Sequence, residues 1–256
     1  MTQDNPMTTQ SFRARLRAGE RLFAPLMTLN SPAVAELMAE VGFDWLFIDA
    51  EHSTLDTSQM QALLQAAGAT PCVIRLESGE EAPIKKALDI GAAGIIAPQV
   101  NSADHARRIV QAARYAPLGQ RGLGIARAHR YGLKVREYMQ RANDDIAVIV
   151  QAEHRNAVER IDEIVKVDGV DGVLIGPYDL SASFGRPGAV DHPEIRDAIA
   201  RVRNACLAAK VPIGIFGLNA EAVRPYMEQG FTMIVAGVDT VMLCNAATAL
   251  VAALRS

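Results

Sequence analysis

The sequence is short of most features that would point to a membrane, a disulfide scaffold or a nucleic-acid partner. Its three cysteines, Cys72, Cys206 and Cys244, are odd in number and far apart. Such a set cannot pair completely, so all three read as reduced thiols of a cytoplasmic protein. No apolar run reaches the roughly 20 residues that a membrane-spanning helix needs. Residues 1–10 are polar and lack the apolar core of a signal peptide, so they read as a flexible tail. Acidic and basic residues, 29 against 26, are interspersed and leave a net charge of −3. No basic patch results, which excludes nucleic acid as the main partner.

What is present is a regular alternation. Half of the residues are hydrophobic, and short apolar or β-branched runs alternate with amphipathic stretches. The strand candidates are Leu22–Met27, Trp45–Ile48, Cys72–Leu76, Gly94–Ala97, Ala147–Ala152, Gly172–Ile175, Pro212–Phe216 and Met233–Ala236. Helix candidates between them are Pro32–Val41, Thr57–Ala67, Glu81–Ile90, Ala103–Tyr115, Ala157–Val167, Pro193–Ala209, Ala220–Gln229 and Val238–Leu254. Ser31, Asn156 and Asn219 are the expected N-caps. Eight strand–helix units imply parallel pairing and a closed (β/α)8 TIM barrel, one domain over residues 11–256. Ala116–Asp145, rich in Gly and Arg, is long for a connection and is expected to reach a neighbouring subunit. The last helix is apolar almost all round, so it needs burial on more than one side.

Catalytic groups of such barrels project from the C-terminal strand ends. The second strand runs into Asp49, Glu51 and His52, the third into Arg75, the fifth into Gln151 and Glu153, and the sixth into Gly176, Pro177, Tyr178 and Asp179. Glu153 and Asp179 leave adjacent strands, so their carboxylates can converge on one hard divalent cation. The alternative is that either acid caps a helix or pairs with a surface arginine. Asp49 and His52 are expected to form a dyad in which the carboxylate fixes the imidazole tautomer and His52 acts as general base. Arg75 offers fixed positive charge to an oxyanion; its structural alternative is a buried salt bridge to Glu51, Glu77 or Asp89. None of the lysines ends a strand, so a Schiff-base route has no candidate. Each of the last two strands is followed by a single-glycine loop, which favours a carboxylate substrate over a phosphate ester.

Phe43–His52 resembles a signature of the HpcH/HpaI aldolase family, the metal-dependent pyruvate aldolases. Val150–Glu153, Gly169–Ser181 and Tyr115–Gly122 resemble it too, and the similarity runs from Leu22 to the C-terminus. The resemblance implies reversible cleavage of 4-hydroxy-2-oxo acids to pyruvate, or a close analogue, plus an aldehyde, through an enolate that the metal and Arg75 stabilise. It makes His52 the base with Asp49 as partner, and Glu153 and Asp179 the ligands of Mg²⁺ or Mn²⁺, with Co²⁺ a further candidate. Gln151 and the backbone near Gly176, Pro177 and Tyr178 would seat the keto acid. Asp89 matches an acid used near Arg75 or across subunits. The resemblance also implies a homo-oligomer, a hexamer, with the last helix swapped between subunits. Two positions depart from the pattern: Leu26 stands where some relatives have Trp, and Tyr178 replaces a smaller residue. Alternatives are a decarboxylase or acyl-CoA lyase on the same site, or a non-catalytic barrel that binds a keto acid.

Overall fold

The computed structural model describes residues 10–255. The expected tail, residues 1–10, lies outside them apart from Gln10. Eight parallel strands close a barrel in sequence order: β1 (Leu22–Met27), β2 (Leu46–Asp49), β3 (Cys72–Arg75), β4 (Gly94–Ala97), β5 (Ala147–Ala152), β6 (Gly172–Ile175), β7 (Ile213–Gly217) and β8 (Met233–Val238). β1 and β8 close the ring at Leu22↔Met233, with an irregularity between Ala24 and Leu26.

Alternation along each strand divides the core. Trp45, Phe47, Val73, Ile149, Leu174 and Met233 fill the barrel interior, while Leu46, Ile48, Ile74, Val148 and Val150 pack outward against the helices. Because side chains alternate with period two, the next inward positions follow directly. Phe47 is succeeded by Asp49, Val73 by Arg75, and Ile149 by Gln151 and then Glu153. The interior thus changes from apolar to polar at the C-terminal strand ends, where a barrel places its site.

Helices surround the sheet: α1 (Phe12–Arg17), α2 (Pro32–Glu40), α3 (Thr57–Ala66), α4 (Glu81–Asp89), α5 (Ala103–Ala113), α6 (Val135–Asp145), α7 (Arg155–Glu159), α8 (Ile161–Ile164), α9 (Pro177–Ser183), α10 (Pro193–Ala209), α11 (Ala220–Met227) and α12 (Asp239–Arg255). Ser31 and Asn219 cap α2 and α11 as expected. The single helix expected over Ala157–Val167 is two short ones, broken where Arg160 leaves helical geometry, and His154 rather than Asn156 is the cap. The long Ala116–Asp145 connection is partly helical, with a 3-10 turn at Arg127–His129 followed by α6.

α1 closes the bottom of the barrel. Phe12 packs on Trp45 at 5.3 Å, and Leu16 is fully buried. Beside them the buried Asp171 accepts from Arg13 Nε at 2.7 Å, Arg114 Nη2 at 2.9 Å and the Val148 amide at 2.9 Å. α12 behaves differently: from Leu243 to Arg255 it is exposed throughout, Leu243, Leu250 and Leu254 included.

Candidate active site

The C-terminal strand ends enclose a cavity of about 360 Å³ lined by residues from β1, β2, β3, β5, β6 and β7, among them Phe47, Asp49, His52, Arg75, Gln151 and Asp179. Asp49 and Arg75 are register partners on neighbouring strands. The Asp49 carboxylate takes both arms of the guanidinium, Nε to Oδ1 at 2.9 Å and Nη2 to Oδ2 at 2.7 Å. Its Oδ1 also accepts from the amides of Glu51 and His52 at 3.0 and 3.3 Å, which folds the turn after β2. The forked pair fixes the guanidinium plane, and Arg75 also lies over the Phe47 ring at 5.4 Å.

The expected Asp49–His52 dyad is therefore not formed in this chain. Both Asp49 oxygens are engaged by Arg75 and the turn amides, and the imidazole has Glu51 as its acidic neighbour, Nε2 to Oε2 at 3.8 Å. His52 lies at the cavity mouth with 60% of its side chain exposed. Glu51 also approaches Arg75 Nε at 3.3 Å, so of the three alternative partners for Arg75 it is the one that reaches it.

Glu153 is buried beneath. Its Oε1 accepts from the Gln99 amide at 2.7 Å and its Oε2 from Gln151 Nε2. Burial, reinforced by the charges of Glu51 and Asp179, pushes the carboxyl up to about 7 against the opposing pull of the Gln99 amide. Burial likewise raises Glu51, with Arg75 opposing. Asp179 sits in the first turn of α9, whose leading amides have no partners within the helix. Gly176 is needed where it stands: a Cβ there would lie 2.9 Å from both the Glu153 carboxylate and the Gln151 amide.

Two carboxylates, Asp49 and Glu51, thus meet the Arg75 guanidinium, and two more, Glu153 and Asp179, lie close enough to Glu51 for their charges to act on one another. The excess negative charge, a buried Glu51 Oε2 that meets Arg75 and His52 without a hydrogen bond, the unpartnered buried Gln151 Oε1, and the all-oxygen donor set suit a hard divalent cation. Among the described residues no three Asp, Glu, His or Cys side chains form a complete protein-only metal cage. Two carboxylates with remaining positions left to water and substrate is the arrangement that fits.

Comparison with known proteins identifies the family. The model of the HpcH/HpaI aldolase/citrate lyase family matches residues 22–246. The chain belongs to that family. A hydroxypyruvate/pyruvate aldolase of Sagittula stellata is 43% identical over 241 residues, covering 93% of this chain and 95% of that one. A 4-hydroxy-2-oxo-heptane-1,7-dioate aldolase of Escherichia coli is 41% identical over 250 residues, covering 94% of each. The crystal structure of an HpcH/HpaI family protein from Burkholderia cenocepacia superposes with a TM-score of 0.92 at 35% identity, over 95% of this chain and 98% of that one.

One expected site residue lies elsewhere. Asp89 ends α4, below the start of β4 and on the face opposite the cavity, where it pairs with the fully buried Arg121 at 3.0 Å. Within the chain it does not join Arg75. Two residues that sequence reasoning passed over do belong to the site's framework. Gln99 holds a left-handed backbone at φ 54°, which aims its amide at Glu153. Asp239, buried at the start of α12, accepts from the amides of Thr28 and Leu29 at 2.8 Å each and from the Thr28 hydroxyl at 2.7 Å, tying β8 to the cavity rim at β1. An apolar strand ending in a lone acid was the available signal for Asp239. Gln99 gave none.

Proposed function

We propose that this HpcH/HpaI family member is a divalent-metal-dependent pyruvate aldolase, a carbon–carbon lyase that reversibly cleaves 4-hydroxy-2-oxo acids to pyruvate, or a close analogue, and an aldehyde. The observation that carries this reading is the group of carboxylates, Glu51, Glu153 and Asp179, in excess of a guanidinium fixed by Asp49, with Asp179 and Arg75 both lining one small cavity. Curated relatives named as aldolases, aligned over nearly the whole chain, support the same reaction class.

Glu153 and Asp179 are the residues that would hold the cation. When bound, the cation supplies Lewis acidity that makes the protons next to the keto group easier to remove. Gln151 and the first-turn amides at Tyr178 and Asp179 orient the keto acid by hydrogen bonds. The His52 imidazole, open to the cavity mouth, accepts a proton from the donor methyl in the synthetic direction, and in cleavage from the 4-hydroxyl. Arg75 donates to the oxygen on which negative charge develops, its plane held by Asp49 so that no reorganisation is needed as the charge appears.

An acyl-CoA lyase would need cations for the CoA phosphates, and two of the three arginines between Arg121 and Arg130 are committed elsewhere. Arg121 pairs with Asp89, and Arg127 donates to the Ile90 carbonyl at 2.7 Å. We read the assembly as a cytoplasmic homo-oligomer, a hexamer, in which α12 crosses to a neighbouring subunit. An apolar helix exposed over thirteen residues supports that reading, as do the exposed Leu123, Ile125 and Leu133 of the long connection. Mn²⁺-dependent pyruvate release from 4-hydroxy-2-oxo acids tests the activity, and sedimentation tests the assembly.

A further inference from the structure

The mouth of the cavity is built differently from its floor. The floor is buried and polar: Asp49, Arg75 and Gln151 are each less than a tenth exposed. At the mouth stands Tyr178, 40% exposed, with its ring 6.1 Å from that of Phe216 at a tilt of 56°. That separation falls within the range of attractive aromatic pairs, so the two rings support one another as a wall.

Behind the wall lies a second cavity of about 740 Å³, between α10 and α11. It shares only Pro177, Tyr178 and Phe216 with the first. The first cavity, about 360 Å³, lies near the low end of the roughly 300–1,000 Å³ usual for ligand pockets. The Tyr178 and Phe216 rings bound it on the side that faces the larger space. Among the described residues, Arg75 is the sole guanidinium or ammonium group on its lining, and Asp49 already engages it. The second cavity carries Asp191, Asp197 and Glu221 against Arg196, and Arg196 is itself 3.7 Å from Asp191. Among the described residues of one protomer, neither space offers a free cation to a distal carboxylate.

We propose that the Tyr178–Phe216 pair is a specificity-determining partition, which restricts the acceptor to short, uncharged aldehydes by closing the site off from the cavity between α10 and α11. The inference rests on the aldolase reading and names the acceptor class that reading leaves open. Removing the Tyr178 ring joins the two cavities and lets an extended aliphatic chain pass between them. The ring matters through its size, not its hydroxyl.

The test measures kcat/KM for Mn²⁺-loaded enzyme with pyruvate and three acceptors: glycolaldehyde, hexanal and succinic semialdehyde. Wild type is expected to favour glycolaldehyde. Tyr178→Ala should raise the hexanal-to-glycolaldehyde ratio by about tenfold or more, the scale of a gained apolar contact, with a smaller rise for succinic semialdehyde. Phe216→Ala should shift the ratio in the same direction, and Tyr178→Phe should keep the wild-type ratio. Ratios unchanged within about threefold in both alanine variants, or a wild-type preference for either long acceptor, would overturn the partition. Wild type that turns over no acceptor and exchanges no methyl protons of pyruvate with solvent would overturn the aldolase reading, and the partition with it.

Discussion

Replacing Arg75 by alanine separates two roles that the structure gives one side chain. The guanidinium faces the cavity, where it would meet developing negative charge, and it also neutralises Asp49, whose side chain is 1% exposed. Losing a preorganised oxyanion donor costs about 10²–10³ in kcat. Breaking a buried ion pair by removing one partner costs about 3–5 kcal/mol of stability. The amides of Glu51 and His52 still solvate Asp49 after the change, so the lower end, about 3 kcal/mol, is expected. The double variant Asp49→Asn/Arg75→Ala removes the stranded charge, and it should recover part of the stability and none of the activity. The assay is pyruvate release coupled to NADH oxidation, with urea unfolding for stability and Mn²⁺ affinity by electron paramagnetic resonance. Arg75→Ala should leave Mn²⁺ bound, because Glu153 and Asp179 remain. Turnover within a few-fold of wild type would refute the role given to Arg75, and equal destabilisation of single and double variants would refute the ion-pair argument.

Three further outcomes follow from other parts of the molecule. Glu153 ionises near 7 in the metal-free chain, above the ordinary 4.5. A raised carboxyl favours the folded state while protonated, so metal-free protein should lose stability between about pH 4.5 and 7 and, once Glu153 is ionised, change little from this group. Protons and cation compete for that carboxylate, so Mn²⁺ affinity measured by calorimetry should fall as the pH drops below about 7; an affinity flat from pH 5 to 8 would contradict this. At the barrel bottom, Asp171→Ala strands Arg13 and Arg114 and should cost about 3–5 kcal/mol in urea unfolding. A cost below about 1 kcal/mol would show that the network is dispensable. Burial pushes Cys72 and Cys206 up to about 12, so neither should react with a thiol reagent at neutral pH in the native protein. Cys244, exposed on α12, should react only in protomers whose last helix is uncovered, and its rapid reaction in the intact assembly would argue against a buried α12.

Much of the barrel was legible because alternation and strand-end chemistry are local. The inward sequence Phe47, Asp49 and the outward pair Leu46, Ile48 can be read without knowing any partner, and so can the bunching of acids after the second, fifth and sixth strands. What was not legible depends on partners far away in the chain. α1 is six residues with only Phe12 and Leu16 apolar and buried, and its anchoring pair, Arg13 with Asp171, spans 158 residues. Asp49 and His52, three apart, suggested a local dyad, whereas the register of β2 against β3 hands Asp49 to Arg75. Asp89 is close to Arg75 in sequence, but it stands at the other end of its helix from the cavity. Gln99 was invisible for another reason: a left-handed backbone is rare for a residue of its type, and only the carboxylate it serves accounts for it.

The proposed reaction is aldol chemistry on a 2-oxo acid in an acidic pocket that holds a divalent cation. The direct measurement is pyruvate release from a panel of 4-hydroxy-2-oxo acids by protein treated with EDTA and then given back Mn²⁺ or Mg²⁺. Release that EDTA abolishes and either cation restores, and that Glu153→Gln and Asp179→Asn each eliminate, is the predicted result. Release undiminished after EDTA, or none from any substrate with cation present, would contradict it.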